Sequence, residues 1–342
     1  MAYTTIDKPT DYFNTKLYTG NFTNNHSITG VGFQPDLVWT KNRSDSGEWN
    51  SLFDVIRGVT KRIYSNETNA EETAPNSLIS FDSDGFTFNA DNNVNKNAKN
   101  FVSWNWLGAN GTASNSNGSI TSTVSANTTS GFSIVSYSGA SSGGTIGHSL
   151  GVKPDIVLIK CRSATANWLF TTDIIDGSKD YLFLNQTNAK GDLTTALPTS
   201  SVFTVSGDDD QGENGKTYIA YCFNSVKGYS KFGSYAGNGN ANGTFVYTGF
   251  KPAFVIVKVY AGGTGDWQMY DNKRVGYNDA NYRLKPSASS AEATDEPIDI
   301  LSNGFKLRNT GGSFNASGDD YIYMAFAENP FVTSGGIPTT AR

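Results

Sequence analysis

The densest run of chemically capable side chains is the stretch GDDDQGEN, which places Asp208, Asp209, Asp210 and Glu213 within six residues. Oxygen ligands at that density suit a hard divalent cation such as calcium. Three adjacent acids cannot all point one way from an extended chain, so an ion there would also need backbone carbonyls and water. These four are the candidate metal ligands, and the expectation is that no metal is bound. The stretch DSDG at Asp82–Gly85 opens like a calcium loop but lacks the downstream bidentate glutamate, and it reads as a hairpin turn.

The two histidines, His26 and His148, do not occupy matching places in the chain. The sequence has no nucleophile elbow, zinc-protease motif, CxxC pair or Walker loop. GNGNANG, from Gly237, resembles a phosphate loop but leads into a strand-like TFVYTG rather than a helix. Paired carboxylates for glycoside hydrolysis would make one part of the chain depart sharply from the rest, and no part does. No catalytic residues and no cofactor are expected.

Aromatic rings offer a different chemistry, the stacking of sugars. Trp49, Trp168 and Trp267 follow Pro35, Pro154 and Pro252 at intervals of 14, 14 and 15 residues, which makes them the candidate ligand-binding residues. Recurrence is also what a core residue shows, and the core is the first expectation for these rings.

The elements that carry these residues are written three times. GFQPDLVWTKNR, GVKPDIVLIKCR and GFKPAFVIVKVY each place a Val/Ile/Leu-rich run after a proline at the strand entrance. Each copy opens on an aromatic strand from Tyr12, Phe132 or Tyr229 and closes on another, FVSWNW, YIAYCF or YIYMAF. The repeat is about a hundred residues, too long for a solenoid unit and enough for a small sandwich. The divisions expected are an N-terminal arm 1–11, repeats at 12–110, 131–227 and 228–331, a Gly/Ser/Asn-rich linker at 111–130 and a C-terminal tail 332–342.

Composition agrees with an all-β chain of three tandem antiparallel β-sandwich, jelly-roll-like repeats. Aromatics make up 13% and glycine 36 of 342 residues, a strand-and-turn profile with little helix. One short helix is expected around SLFDVIRGVTKRIY. A net charge of −5 excludes binding nucleic acid through a phosphate-neutralising surface. No run of eighteen apolar residues predicts a membrane span, and the opening residues show no basic-then-apolar leader, so folding in a cytosol is expected. Cys161 and Cys222 read as buried free thiols.

TIDKPTDYFNTKLYTG, the GFQPDLVWTKNR segment with the LFDVIRGVTKRIYSNETNAEE that follows it, and the closing DILSNGFKL with YIYMAFAENPF together resemble repeat-containing virion proteins of tailed bacteriophages, common in marine phages. The resemblance runs from about Thr5 to Phe331. It implies a surface component of the virus particle, labelled a tail fibre or structural protein, and carries over no catalytic residues. The second copy departs from the pattern: LPTSSVF replaces the Asp-Gly turn before its penultimate strand.

The expected function is therefore that of a non-enzymatic virion protein, first a tail fibre or spike component for host attachment, alternatively a capsid decoration protein, and last a glycan-degrading tailspike. Expected partners are other virion proteins, a host-surface glycan or protein, and further copies of the chain, with a trimer favoured. The terminal arm and tail are expected to lie against a neighbouring subunit.

Overall fold

The three Val/Ile/Leu runs form the strands Leu37–Asn42, Ile156–Cys161 and Phe250–Ala261, and every side chain of the first two is buried. A strand buried on both faces needs cover on both, and in this protein the two covers differ. Leu37 and Trp39, Ile156 and Leu158, and Phe254 and Ile256 face one common core. Their neighbours Val38, Val157 with Ile159, and Val255 with Val257 face three separate cores. Period-two alternation thus splits each strand between a local sandwich and a centre shared by the whole chain.

The computed structural model describes residues 3–275, 277–280 and 282–339, and these are all-β, with strands taking 43% of the chain and helix 2%. The sheets are antiparallel and fall into three sets with the same internal order. In the first, Phe13–Thr19, Asn100–Trp106, Leu37–Asn42, Ser51–Asp54 and Lys61–Tyr64 lie side by side. The second repeats this with Phe132–Ser138, Thr217–Phe223, Ile156–Cys161, Trp168–Thr172 and Asp180–Phe183. The third has Ser230–Ala236, Asp320–Pro330, Phe250–Ala261 and Gln268–Asp271.

A smaller sheet belongs to each set. It holds three strands in the first (His26–Thr29, Gly85–Phe88, Leu78–Asp82) and three in the third (Phe245–Tyr247, Gly304–Leu307, Ile298–Leu301). In the second it holds two, Gly144–Gly147 and Val202–Val205, because LPTSSVF does not form the hairpin that the Asp-Gly and Asn-Gly copies make.

Three expectations are corrected. The stretch 111–130 is no linker: Ala113–Asn115 and Ser122–Asn127 pair in register and extend the second large sheet at its edge. The segment expected to be helical is strand, turn and strand, with Ser51–Asp54 wholly buried and the Asp54 carboxylate accepting the Ile56 and Arg57 N–H groups to turn the chain. Among the described residues the one α-helical turn is Asn92–Asn95, capped by Asp91. Gly85 and Gly304 lie just past their tight turns, and a Cβ at either would overlap a neighbouring carbonyl oxygen, that of Ile28 or of Val246. Close approach of the third strand demands glycine at Gly304, and at Gly85 a positive φ (147°) adds to it.

The arm finds its place within the same chain. Ile6 is buried in the common core, and the Asp7 carboxylate accepts from the backbone N–H (2.6 Å) and hydroxyl (2.5 Å) of Ser334. Tyr3 packs against Phe331. These contacts tie the start of the first unit to the end of the third, so the described parts of the termini need no neighbouring subunit to order them.

Candidate functional site

Polar side chains buried between the units show first how the chain joins itself. Strand register makes Lys41, Lys160 and Lys258 equivalent, each four residues after Leu37, Ile156 or Phe254. All three are buried, and among the described residues none is ion-paired with a carboxylate. Lys160 Nζ donates to the carbonyls of Thr68 (3.0 Å) in the first unit and Ala166 in its own. Lys258 Nζ reaches Thr187 and Asn188 in the second unit, and Lys41 Nζ reaches Ala288 in the third and Asn50 Oδ1 (2.6 Å). Burial lowers Lys41 to about 7 and Lys160 and Lys258 to about 8.

The candidate tryptophans belong to the same seams. Trp168 Nε1 donates to the Tyr64 carbonyl (2.7 Å) and Trp267 Nε1 to that of Phe183 (2.9 Å), again from one unit to the one before. With relative exposures of 0% and 1%, neither ring is open to a ligand. Trp49 breaks the series. Leu52, Phe170 and Met269 face Trp39, Leu158 and Ile256, and two residues back from them stand Asn50, Trp168 and Trp267. Asn50 takes the seam position, and its Nδ2 donates to Lys285 (3.1 Å) and Pro286 (3.0 Å) carbonyls of the third unit. Trp49, one residue out of step, is half-buried against the edge of Tyr64.

Backbone bonds trace the same circuit: Glu71 N–H to Arg162, Lys190 to Tyr260 and Glu292 to Arg43. A heterologous contact that returns to its origin after three steps is a closed ring. On its axis the apolar side chains leave a cavity of about 30 Å³ lined by Trp106, Phe223 and Phe254 among others, room for about one water but with no polar atom to hold it.

The carboxylates are also largely committed. Asp208 accepts from the Gln211 backbone (3.1 Å) and side chain, Asp210 from the Asn167 N–H (2.7 Å), and Glu213 lies 3.9 Å from Lys216. With Asp209 they form a loop before Thr217–Phe223, and among the described residues they do not converge as a metal group. Asp176, Asp180 and Asp192 do converge, and the Lys190 ammonium sits among them at 2.9, 2.5 and 2.8 Å. That cage already holds its cation. Asp84 of DSDG accepts from Gly30 and Gly32 N–H, His26 meets Asn95, and buried His148 meets the Thr199 carbonyl. Cys161 and Cys222 are free and buried, the Cys222 thiol pushed up to about 12 by burial.

What the seams leave open is a face of the third unit that sequence reasoning missed. Phe245 and Tyr247, two apart on the edge strand of the small sheet, are 43% and 50% exposed while Val246 between them is buried. Beside them a cleft of about 560 Å³ runs between the arm and the connector into Ser230–Ala236. Lys231 Nζ lies 5.2 Å from the Tyr247 ring centre and donates to the Tyr247 carbonyl (2.9 Å), and Lys227 Nζ lies 4.5 Å over Tyr3. Tyr3 in turn donates to the Gly249 carbonyl (2.6 Å). Among the described residues no carboxylate pairs with Lys227 or Lys231. The arrangement can stack a flat apolar surface and neutralise negative charge. Its signal in the sequence was the FVY of the third copy, where the other copies place HSIT and GTIG on the same sheet.

Among the described residues, no helix is long and apolar enough to cross a membrane. No curated protein matches the chain significantly. Residues 8–330, nearly its whole length, match the family described as domain of unknown function DUF7483, and the chain belongs to that family.

Proposed function

We propose that this chain is a surface protein of a tailed-bacteriophage particle, a tail fibre or spike component that attaches the particle to a host-surface glycan or protein without catalysing a reaction. The observation that carries the reading is the pairing of a closed three-unit body with one outward face of exposed rings and unpaired ammonium groups. Rings and cations bind; turnover would need a poised acid or nucleophile beside them. Loops and sheet edges on a rigid scaffold are where recognition residues concentrate. The motifs shared with virion proteins point the same way.

Decoration of the capsid is the second reading, favoured by one observation. Each unit already meets its neighbours inside one chain, so three-fold closure needs no second copy, and a single chain can sit on a lattice by itself. Copies that associate do so through outer faces, and the mass in solution reports whether a homotrimer forms.

Electron microscopy of purified virions with a gold-labelled antibody against the chain separates the readings. Label confined to the tail supports attachment. Label spread over the head makes the chain a decoration protein, and particles free of label would end both.

A further inference from the structure

We infer that the outer face of the third unit, centred on Tyr247, is a binding site for an acidic glycan, with Phe245 and Tyr247 stacking sugar rings and Lys227 and Lys231 receiving carboxylate or sulfate groups; the inference rests on the attachment reading and names its ligand class. Side chains at i and i+2 of a strand share a face and stand about 7 Å apart, so the two exposed rings lie at a spacing between one and two sugar units. Sugars present apolar C–H faces that such rings cover.

Charge selects which sugars. The chain carries a net −5, yet this cleft holds two ammonium groups with no carboxylate within ion-pair distance among the described residues. Lys306, opposite Phe245 on the adjoining strand, lies on the same side of the small sheet but faces Asp299 on the next strand, so the charge of the site rests on Lys227 and Lys231. Several lysines elsewhere are paired, as Lys96 with Glu48, Lys153 with Asp173 and Lys251 with Glu328, whereas Lys227 and Lys231 stand together in one cleft beside an exposed ring. A neutral glycan would leave the two unpaired ammonium groups without use, and an acidic one completes them.

Comparison between the units supports a role beyond packing. Strand register places Ser27 and Thr29 of the first unit, and Thr145 and Gly147 of the second, where the third has Phe245 and Tyr247. Lys231 likewise stands where the others have Asn14 and Ser133. The small sheet folds without exposed rings in two units, so the scaffold does not require them in the third.

Isothermal titration of the full chain with an oligogalacturonate octamer, a heparin-derived octasaccharide and neutral malto-octaose tests the site. The variants are Tyr247→Ala and the double variant Lys227→Gln, Lys231→Gln, at or near the surface, with thermal melts to confirm folding. We expect at least one acidic octamer to bind about tenfold more tightly than malto-octaose and to weaken as salt rises. Tyr247→Ala should cost tenfold or more in affinity, and the double variant should abolish the preference for acid. No binding of either acidic octamer at millimolar concentration overturns the inference, as does binding that survives both variants. A cell-binding assay on the host bacterium scores the parent reading separately. Wild-type binding that survives both variants keeps attachment and removes this site. Octamer binding that the variants abolish, in a chain that ignores host cells, keeps the site and ends attachment.

Discussion

Stability of this protein should rise between pH 7 and 9, a range in which most side chains are silent. The cause is the three seam lysines. Burial lowers Lys160 and Lys258 to about 8 and Lys41 to about 7, from an ordinary 10.5. In this window the unfolded chain keeps all three protons while the folded chain sheds them. Unfolding therefore takes up protons, and raising the pH opposes it. Integrated from pH 7 to 9, Lys160 and Lys258 each contribute more than about 1 kcal/mol and Lys41 about 2, a total of about 5 kcal/mol. The rise continues toward the unfolded lysine value and is then met by the buried tyrosines and Cys222, whose raised folded values favour unfolding in base. Over pH 7 to 9 Cys222 removes less than about 1 kcal/mol of the gain. Urea denaturation at pH 7, 8 and 9 reads the effect directly, and the Lys160→Met variant isolates one group. Its absolute stability falls because the Thr68 and Ala166 carbonyls lose a donor, but the informative quantity is the slope, which should lose about 1 kcal/mol of the rise. A wild-type profile that is flat or falling over this range, or a variant slope equal to wild type, would refute charged-state burial at the seams.

Trp168→Phe keeps most of the ring but takes from the Tyr64 carbonyl its shorter donor, leaving the Glu67 N–H at 3.4 Å, and a loss of about 1 kcal/mol is expected in the same urea assay. Asp54→Asn removes the charge that faces Arg57, both side chains being fully buried, and should cost about 3 kcal/mol by leaving the guanidinium only its longer contact to Glu71 (3.4 Å). Gly304→Ala forces a methyl group into the Val246 carbonyl, so the Phe245–Tyr247 strand should lose amide-exchange protection while the large sheets keep theirs.

The central strands were legible because their residues are unambiguous: a proline at the entrance, then Val, Ile and Leu at consecutive positions. What lay beyond the sequence was the identity of the second cover. A run apolar on both faces is written the same way whether the far side meets its own sandwich or another unit, so Leu37, Ile156 and Phe254 could not announce a shared centre. Trp49 shows a second limit. One residue more or less between two strands preserves the spacing pattern to the eye and reverses the face, which is how Asn50 came to hold the position of Trp168 and Trp267. Phe245 and Tyr247 were missed for the opposite reason: attention to what recurs passes over the one copy that differs.

The seams themselves differ in a patterned way, and the pattern explains how near-identical units avoid joining in the wrong order. At the seam of the second unit on the first, Tyr221 donates to Asp54, Asp54 holds Arg57, and Glu71 receives both Arg57 and Arg162. The seam of the first unit on the third repeats this with Trp104, Asp271, Arg274, Glu292 and Arg43. At the equivalent positions of the remaining seam stand Met324, Thr172, Ile175, Lys190 and Tyr260. Removing one member of a buried ionic set leaves a charge unmatched at several kcal/mol, whereas replacing the whole set with apolar residues is close to neutral. The members therefore change together. A unit docked out of order would set Met324 against Asp54, or Tyr221 against Thr172, and strand a buried carboxylate or hydroxyl without its partner. Two seams built on a buried carboxylate–guanidinium set and one that lacks it thus fix the circular order of units whose shared fold would otherwise permit exchange.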